Sequence, residues 1–264
     1  ASLASGTGVE IIEPIQTRDH TERMLKHFGA NIKITSEDGK NIIQLAPLNH
    51  LNAKNYTVVG DISSAAFLIV AALISDSPGL EITNVGMNPS RTGILLALQK
   101  MGADIEVRNQ RLESGEPCAD LKIKKSILRG VELSGDIIPN IIDEIPIISI
   151  AAAFAEGETV IRDAAELRVK ESDRLKAISD GFTRLGVAHK NFEDGMSIMG
   201  SPNFLFIDQP ISIESHEDHR IAMSFLIAGL KCSKSITVKG CKNIFTSFPN
   251  FIELISSIGY ELEE

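Results

Sequence analysis

The most charge-dense stretch of this 264-residue sequence is Glu166-Leu167-Arg168-Val169-Lys170-Glu171-Ser172-Asp173-Arg174. It runs into a helical pattern, so Glu171 to Asp173 fall at a helix N-terminus. Free N–H groups and the helix dipole favour anions there. Arg168, Lys170 and Arg174 add cations. A lysine and a carboxylate side by side, Lys170 and Glu171, can move protons once water is excluded. Taken alone, the segment reads equally well as a solvated cap with i,i+4 ion pairs.

Three further segments have the same form. In Glu217-Asp218-His219-Arg220, an arginine at a helix start can grip a carboxylate or phosphate through its fork. Asp143-Glu144-Ile145-Pro146 places an acid at the head of an apolar helix, where it can act as a base on a hydroxyl or simply as a cap. Glu13-Pro14-Ile15-Gln16-Thr17-Arg18 puts Arg18 at a predicted helix start behind a capping Thr17. A base, a lysine–glutamate pair and several arginines suit a doubly anionic substrate and proton transfer, provided one cleft gathers them.

The elements that would gather them repeat. Strands are predicted at 8–12, 80–83, 158–161 and 235–238. Closing helices are predicted at 18–28, 92–101, 173–185 and 248–258, each ending at a glycine: Gly29, Gly102, Gly186 and Gly259. Glycine just past a helix is the usual left-handed cap. Strands 32–35, 104–107, 187–189 and 260–262 follow. The glycines recur roughly every 75 residues, too long for a solenoid and right for a βαβαββ unit. Polar starts precede the other helices: Gly60-Asp61-Ile62-Ser63-Ser64, Asp143-Glu144 and Glu217-Asp218-His219-Arg220. The opening Ala1 to Ser5 reads as the end of an equivalent helix. An α/β (α+β) fold of three βαβαββ units plus the tail of a fourth is expected, with a boundary near Asn52-Ala53-Lys54-Asn55-Tyr56-Thr57. Residues 1–56 would then belong to one lobe and 57–264 to another.

Composition narrows the function. The chain is 43% hydrophobic and 23% charged, with a formal net charge of −9. An acidic chain lacks the basic face of a nucleic-acid binder, so no nucleic-acid partner is expected. Anionic small molecules need only local cations. The three cysteines, Cys118, Cys232 and Cys241, show no Cys-x-x-Cys spacing and do not group with the six histidines. They are expected to be reduced thiols in a cytoplasmic protein without a metal site. The longest apolar run, 65–74, is too short to span a bilayer, and the opening shows no basic leader region. Gly6-Thr7-Gly8 lacks the third glycine of a dinucleotide fingerprint, and the 86–93 segment lacks the Lys-Ser/Thr of a phosphate loop.

The combined motifs resemble those of 5-enolpyruvylshikimate-3-phosphate synthases. The resemblance rests on Arg168-Val169-Lys170-Glu171-Ser172-Asp173-Arg174 and Asp218-His219-Arg220-Ile221-Ala222-Met223. Thr17-Arg18-Asp19-His20-Thr21-Glu22, Gly60-Asp61-Ile62-Ser63-Ser64, Asn88-Pro89-Ser90-Arg91-Thr92-Gly93 and Ser247-Phe248-Pro249 support it. It runs the length of the chain and implies an enolpyruvyl transferase-like fold of six βαβαββ units in two lobes. It also implies transfer of the enolpyruvyl group of phosphoenolpyruvate to the 5-hydroxyl of shikimate 3-phosphate, through a tetrahedral ketal and with no cofactor. By this resemblance Asp143 is the base on that hydroxyl and Glu171 the acid that protonates the methylene carbon. Lys170 contacts both substrates and shares the proton work. Arg174 and Arg220 hold phosphoenolpyruvate, and Arg18 reaches shikimate 3-phosphate from the other lobe.

Against six units, this sequence has three and a tail. The family's N-terminal Lys-Ser segment, Asn-Ala-Gly-Thr loop, one phosphoenolpyruvate arginine and Ser-Ser-Gln segment have no counterpart. A fragment holding half the active site is therefore expected, inactive without the missing N-terminal lobe and prone to self-association through 1–56. UDP-N-acetylglucosamine enolpyruvyl transferases share the donor but not these two leading motifs. A non-catalytic binding lobe is the alternative of a different class.

Overall fold

The computed structural model describes residues 2–14, 18–47, 50–76, 78–203, 207, 209–260 and 262. Thr17, the expected cap, lies outside them, as does residue 261 within the expected last strand.

The same sequence of elements recurs. First come α1 (Ser2–Ser5), β1 (Val9–Glu13), α2 (His20–His27), β2 (Ile32–Glu37) and β3 (Lys40–Leu45). A stretch without regular structure, 50–59, follows. Next are α3 (Ile62–Ile74), β4 (Leu80–Gly86), α4 (Gly93–Lys100), β5 (Asp104–Glu113) and β6 (Glu116–Lys124). The following set is β7 (Glu132–Leu133), α5 (Ile138–Ile141), α6 (Ile145–Ala153), β8 (Gly157–Ile161), α7 (Arg174–Leu185), β9 (His189–Phe192) and β10 (Gly195–Gly200). The last is β11 (Ile211–Glu214), α8 (His219–Gly229), β12 (Ile236–Lys239), α9 (Ile244–Ser247) and α10 (Phe251–Ser257).

Sheet topology carries the repeat. The orders β1-β3-β2, β4-β6-β5 and β8-β10-β9 are the same antiparallel arrangement. The strand before each inner helix runs parallel to the one after it. β7 pairs with β8 and β11 with β12, while Gly60 makes a single parallel bridge to Val85 on β4. The four glycines predicted as left-handed caps all have positive φ, between 71° and 94°.

Two closing helices start later than expected. α2 begins at His20, so Arg18 precedes the helix rather than opening it. In the last unit, Pro249 separates short α9 from α10, which begins at Phe251 and not Phe248. A proline inside a helix loses a hydrogen bond and clashes with the preceding turn.

The core is built on one helix from each of three units. α3, α6 and α8 pack on one another, and each is buried on nearly all sides. A helix that is apolar all round belongs in an interior. α6 also packs against β10, and α3 against β4 and β6. The amphipathic α7 lies outside, with Leu175, Ile178 and Phe182 turned inward. Its approach to α8 is set by Gly181, where an added Cβ would sit 2.1 Å from Cζ of Phe225. Among the described residues no helix is long and apolar enough to cross a membrane.

Gly181→Ala therefore opposes two effects. Alanine improves helix propensity by about 1 kcal/mol. Overpacking costs roughly 1–3 kcal/mol or more where the neighbour cannot yield, and Phe225 is fully buried. A net loss of about 1–2 kcal/mol is expected in urea unfolding. A more stable variant would show that α7 has room to move away from α8.

Candidate active site

The N-termini of α3, α6 and α8 converge, and the polar residues that start these helices meet there. Asp61 caps α3 by accepting from the N–H groups of Ser63 and Ser64. Asp218 caps α8 by accepting from the N–H groups of Arg220 and Ile221. At α6 the N-cap position is Glu144, which makes no side-chain cap. Pro146 occupies the second helical position and has no N–H to offer. The acids at this helix start are thereby released for contacts between units.

Asp218 does more than cap. Its Oδ2 accepts from Nε of Arg174 at 2.8 Å and from the Ser172 hydroxyl at 3.1 Å. The Asp218 side chain is 0% exposed and that of Arg174 is 1% exposed. Burial pushes the Asp218 carboxyl up, but the Arg174 hydrogen bond and charge outweigh it and hold it below the usual range. The same carboxylate thus joins the start of α7 to the start of α8.

Arg174 fans out from this anchor. Its Nη1 donates to Asp143 Oδ1 at 3.4 Å, and its Nη2 donates to Glu171. Asp143, mostly buried, also accepts from Nη2 of Arg18 at 2.7 Å. Lys170 Nζ and Arg220 Nη2 each lie 3.9 Å from its carboxylate. Arg220 Nη1 donates to the main-chain carbonyl of Asp143 at 3.1 Å. Burial raises the Asp143 carboxyl, but the charge of Arg220, the Arg18 hydrogen bond and Lys170 prevail and hold it low. His219 is held below its usual range by burial first and then by Arg220, so its ring is neutral at pH 7.

The six residues to which the resemblance gave roles lie in one cluster, Arg18, Asp143, Lys170, Glu171, Arg174 and Arg220, whereas Arg168 turns to Asp173 and to the carbonyls of Phe192 and Glu193. Arg18 arrives from the segment before α2 and crosses to Asp143 at the α6 start. Glu171 is exposed, while Lys170 is also bonded to Glu166. Four cations, Arg18, Lys170, Arg174 and Arg220, thus surround the one carboxylate of Asp143.

Sequence reasoning missed three features. Nothing in the sequence marks Asp218 as the partner of a buried arginine. Glu144 was passed over, yet it is buried against Ser63 and Arg220. A polar network also ties α2 to the next unit. Asn88 donates to Asp19 at 2.6 Å, His20 Nδ1 lies 2.8 Å from Glu116, and Arg23 bonds Asp19. Adjacent acids ahead of a wholly apolar helix were the signal available for Glu144.

Comparisons with known proteins bear on the family and the fold. A family model described as EPSP synthase (3-phosphoshikimate 1-carboxyvinyltransferase) matches residues 1–255. A 3-phosphoshikimate 1-carboxyvinyltransferase of Magnetococcus marinus is 46% identical over 264 residues, covering 100% of this chain and 58% of its own length. Another, from Geotalea daltonii, is 48% identical over 258 residues, 98% of this chain and 58% of its own. A solved EPSP synthase from Acinetobacter baumannii superposes with a TM-score of 0.92 at 45% identity, over 100% of this chain and 59% of that one. The enolpyruvyl transferase NikO from Streptomyces tendae shares the fold, with a TM-score of 0.74 at 19% identity over 97% of this chain and 56% of that one. The chain spans 58% of the length of the first of these relatives.

The buried pair fixes the sign of a pH effect. A carboxyl lowered by folding stabilises the fold above its unfolded pKa of about 3.9, and that contribution is lost as the pH falls below it. Asp218→Asn is expected to cost roughly 3–5 kcal/mol at neutral pH, because Arg174 stays buried without its partner. The variant's stability should also fall less steeply below about pH 4. Urea titrations across pH read both effects, and a variant as stable as the parent at neutral pH would contradict the role given to this pair.

Proposed function

The chain belongs to the EPSP synthase family, and from that premise we propose that its residues take part in transferring the enolpyruvyl group of phosphoenolpyruvate to the 5-hydroxyl of shikimate 3-phosphate. The observation that carries this reading is Asp143 held among Arg18, Lys170, Arg174 and Arg220, with Glu171 on the outer side of Arg174. Because the chain spans 58% of its relative's length, the reaction is assigned to these residues together with the length they do not span. Residues 1–56 belong to one lobe and 57–264 to the other, in a cytoplasmic enzyme of the shikimate pathway.

The geometry supports a sequence of steps. Substrate phosphate and carboxylate groups compete for the arginines and lysine that now face Asp143. As those cations turn to the substrates, Asp143 loses the field that holds its carboxyl low. Its basicity returns at the moment a hydroxyl needs deprotonating. The hydroxyl oxygen bonds to C2 of phosphoenolpyruvate while Glu171 delivers a proton to C3, giving a tetrahedral ketal. Loss of a C3 proton and of inorganic phosphate then restores the double bond. Arg174 and Arg220 bind the donor, Lys170 bridges both substrates, and Arg18 holds shikimate 3-phosphate. Closure around the substrates excludes water and strengthens each of these contacts.

The test is phosphate release from phosphoenolpyruvate and shikimate 3-phosphate, by this chain alone and together with the remaining length of its relatives. Release only in the combined protein is expected. Glu171→Gln should lower kcat by about 10²-fold or more, with little change in KM. No release from two folded parts would turn the assignment towards a non-catalytic binding lobe.

A second expectation concerns the β1-β3-β2 sheet. Ile11 and Ile34 flank Ile43 on one face, and both are exposed. Exposed apolar sheet faces bind other surfaces, and we assign this one to residues of the longer relatives. In the isolated chain it should drive self-association. Replacing Ile11 and Ile34 by lysine should shift the sedimentation coefficient towards that of a monomer; a parent chain that is already monomeric would reject this assignment.

A further inference from the structure

Glu144 is a carboxylate in an expensive place. Its side chain is 4% exposed, and removing an ionised carboxylate from water costs several kcal/mol unless partners compensate. The partners come from three other elements. From the start of α3, the Ser63 hydroxyl donates to Glu144. Arg91, before α4, donates to the Ser63 oxygen at 2.6 Å and to Asp61 at 3.0 Å. The Ser63 oxygen is thereby an acceptor for Arg91, and its own proton is committed to Glu144. From α8, Arg220 Nη1 lies 3.5 Å from Glu144 Oε1.

Arg220 is thus held on one edge. Its Nη1 faces Glu144 and the Asp143 carbonyl from the buried side, and its Nη2 faces the Asp143 carboxylate across 3.9 Å. An incoming anion would have to take the Nη2 edge from the Asp143 carboxylate, in an orientation set from behind. The charged groups facing Glu144 are Arg91 and Arg220, against Asp61 and its neighbour Asp143. Burial pushes the Glu144 carboxyl up; Ser63, Arg220 and Arg91 oppose this without cancelling it, and Asp143 adds to it.

We propose that Glu144 is a positioning residue for Arg220, fixing the buried edge of that guanidinium and taking up a proton from solvent when a phospho-carboxylate anion displaces Asp143 from the Nη2 edge. The proposal rests on the enolpyruvyl-transfer reading above. An anion at Arg220 adds negative charge close to Glu144 and weakens the attraction that keeps it ionised. By linkage, anion binding and proton binding then favour each other. Neither effect requires Glu144 to touch substrate.

Proton uptake is read by titrating phosphoenolpyruvate calorimetrically into the combined protein, in two buffers of different ionisation enthalpy, from about pH 5 to about pH 8. This range lies above the ordinary glutamate pKa of about 4.3. The ligand's own phosphate ionises alike in parent and variant, so the difference between parent and Glu144→Gln isolates this residue. The parent is expected to take up more protons than the variant. In steady-state kinetics, Glu144→Ala should raise the donor KM about tenfold while kcat changes less than about threefold, and Glu144→Asp should recover part of the loss. Should the alanine variant fail to fold, the isosteric glutamine variant still carries the calorimetric comparison. Equal uptake in parent and Glu144→Gln at every pH, or an unchanged donor KM in Glu144→Ala, overturns the proposal. A parent that binds but does not turn over defeats the enzymatic reading instead. The same calorimetric difference, measured with inorganic phosphate, then decides on Glu144 alone.

Discussion

Arg174 and Asp218 have both left water, and each makes the other's burial tolerable. An isolated charge at either position would carry a desolvation cost of several kcal/mol. Here Asp218 accepts from Arg174, from the Ser172 hydroxyl and from two main-chain N–H groups at the start of α8. One carboxylate thereby fixes the relative position of α7 and α8. It also determines where the two Nη groups of Arg174 point, towards Asp143 and Glu171. The chemistry proposed for those two acids depends on a contact that neither of them makes.

The repeat explains why such a site forms and why its copies differ. Three apolar helices packed side by side bring three N-termini to one place, each with exposed N–H groups and a partial positive charge. An acid at each start is the simplest local remedy. Asp61 and Asp218 supply it as caps. At α6 the proline in the first turn removes a donor that a cap would satisfy. Asp143 and Glu144 are free to face neighbouring units, Asp143 towards Arg18 and Arg174 and Glu144 towards Ser63. Equivalent positions in the repeat thus make different contacts.

Local signals made the element pattern readable in the sequence. Helix, glycine and strand recur because a left-handed cap needs glycine, and all four glycines have the expected backbone conformation. The charged segments ahead of the helices were legible as local chemistry, but the roles of the six residues within them came only from the family resemblance. The partners of Asp218 and Glu144 were not legible. Ser63 and Glu144 lie 81 residues apart, and Arg174 and Asp218 lie 44 apart. Such pairings depend on how units pack, and no periodicity within one unit encodes them. The start of α2 was misplaced because charged residues before a helix carry the same signal as residues inside its first turn.

The exposure of Arg18 separates the two ends of the cluster. Its side chain is 52% exposed where it meets Asp143, whereas Arg174 is almost wholly enclosed. Dissolved ions screen charges that reach solvent over a Debye length of about 8 Å at physiological ionic strength, but they penetrate little around buried pairs. Raising the salt concentration therefore weakens the attraction that draws the α2 segment across to α6, while the pairing beneath α7 and α8 is left largely intact. Ionic strength can loosen the approach of one part of the molecule to the other without dismantling the cradle in which the anion is expected to rest.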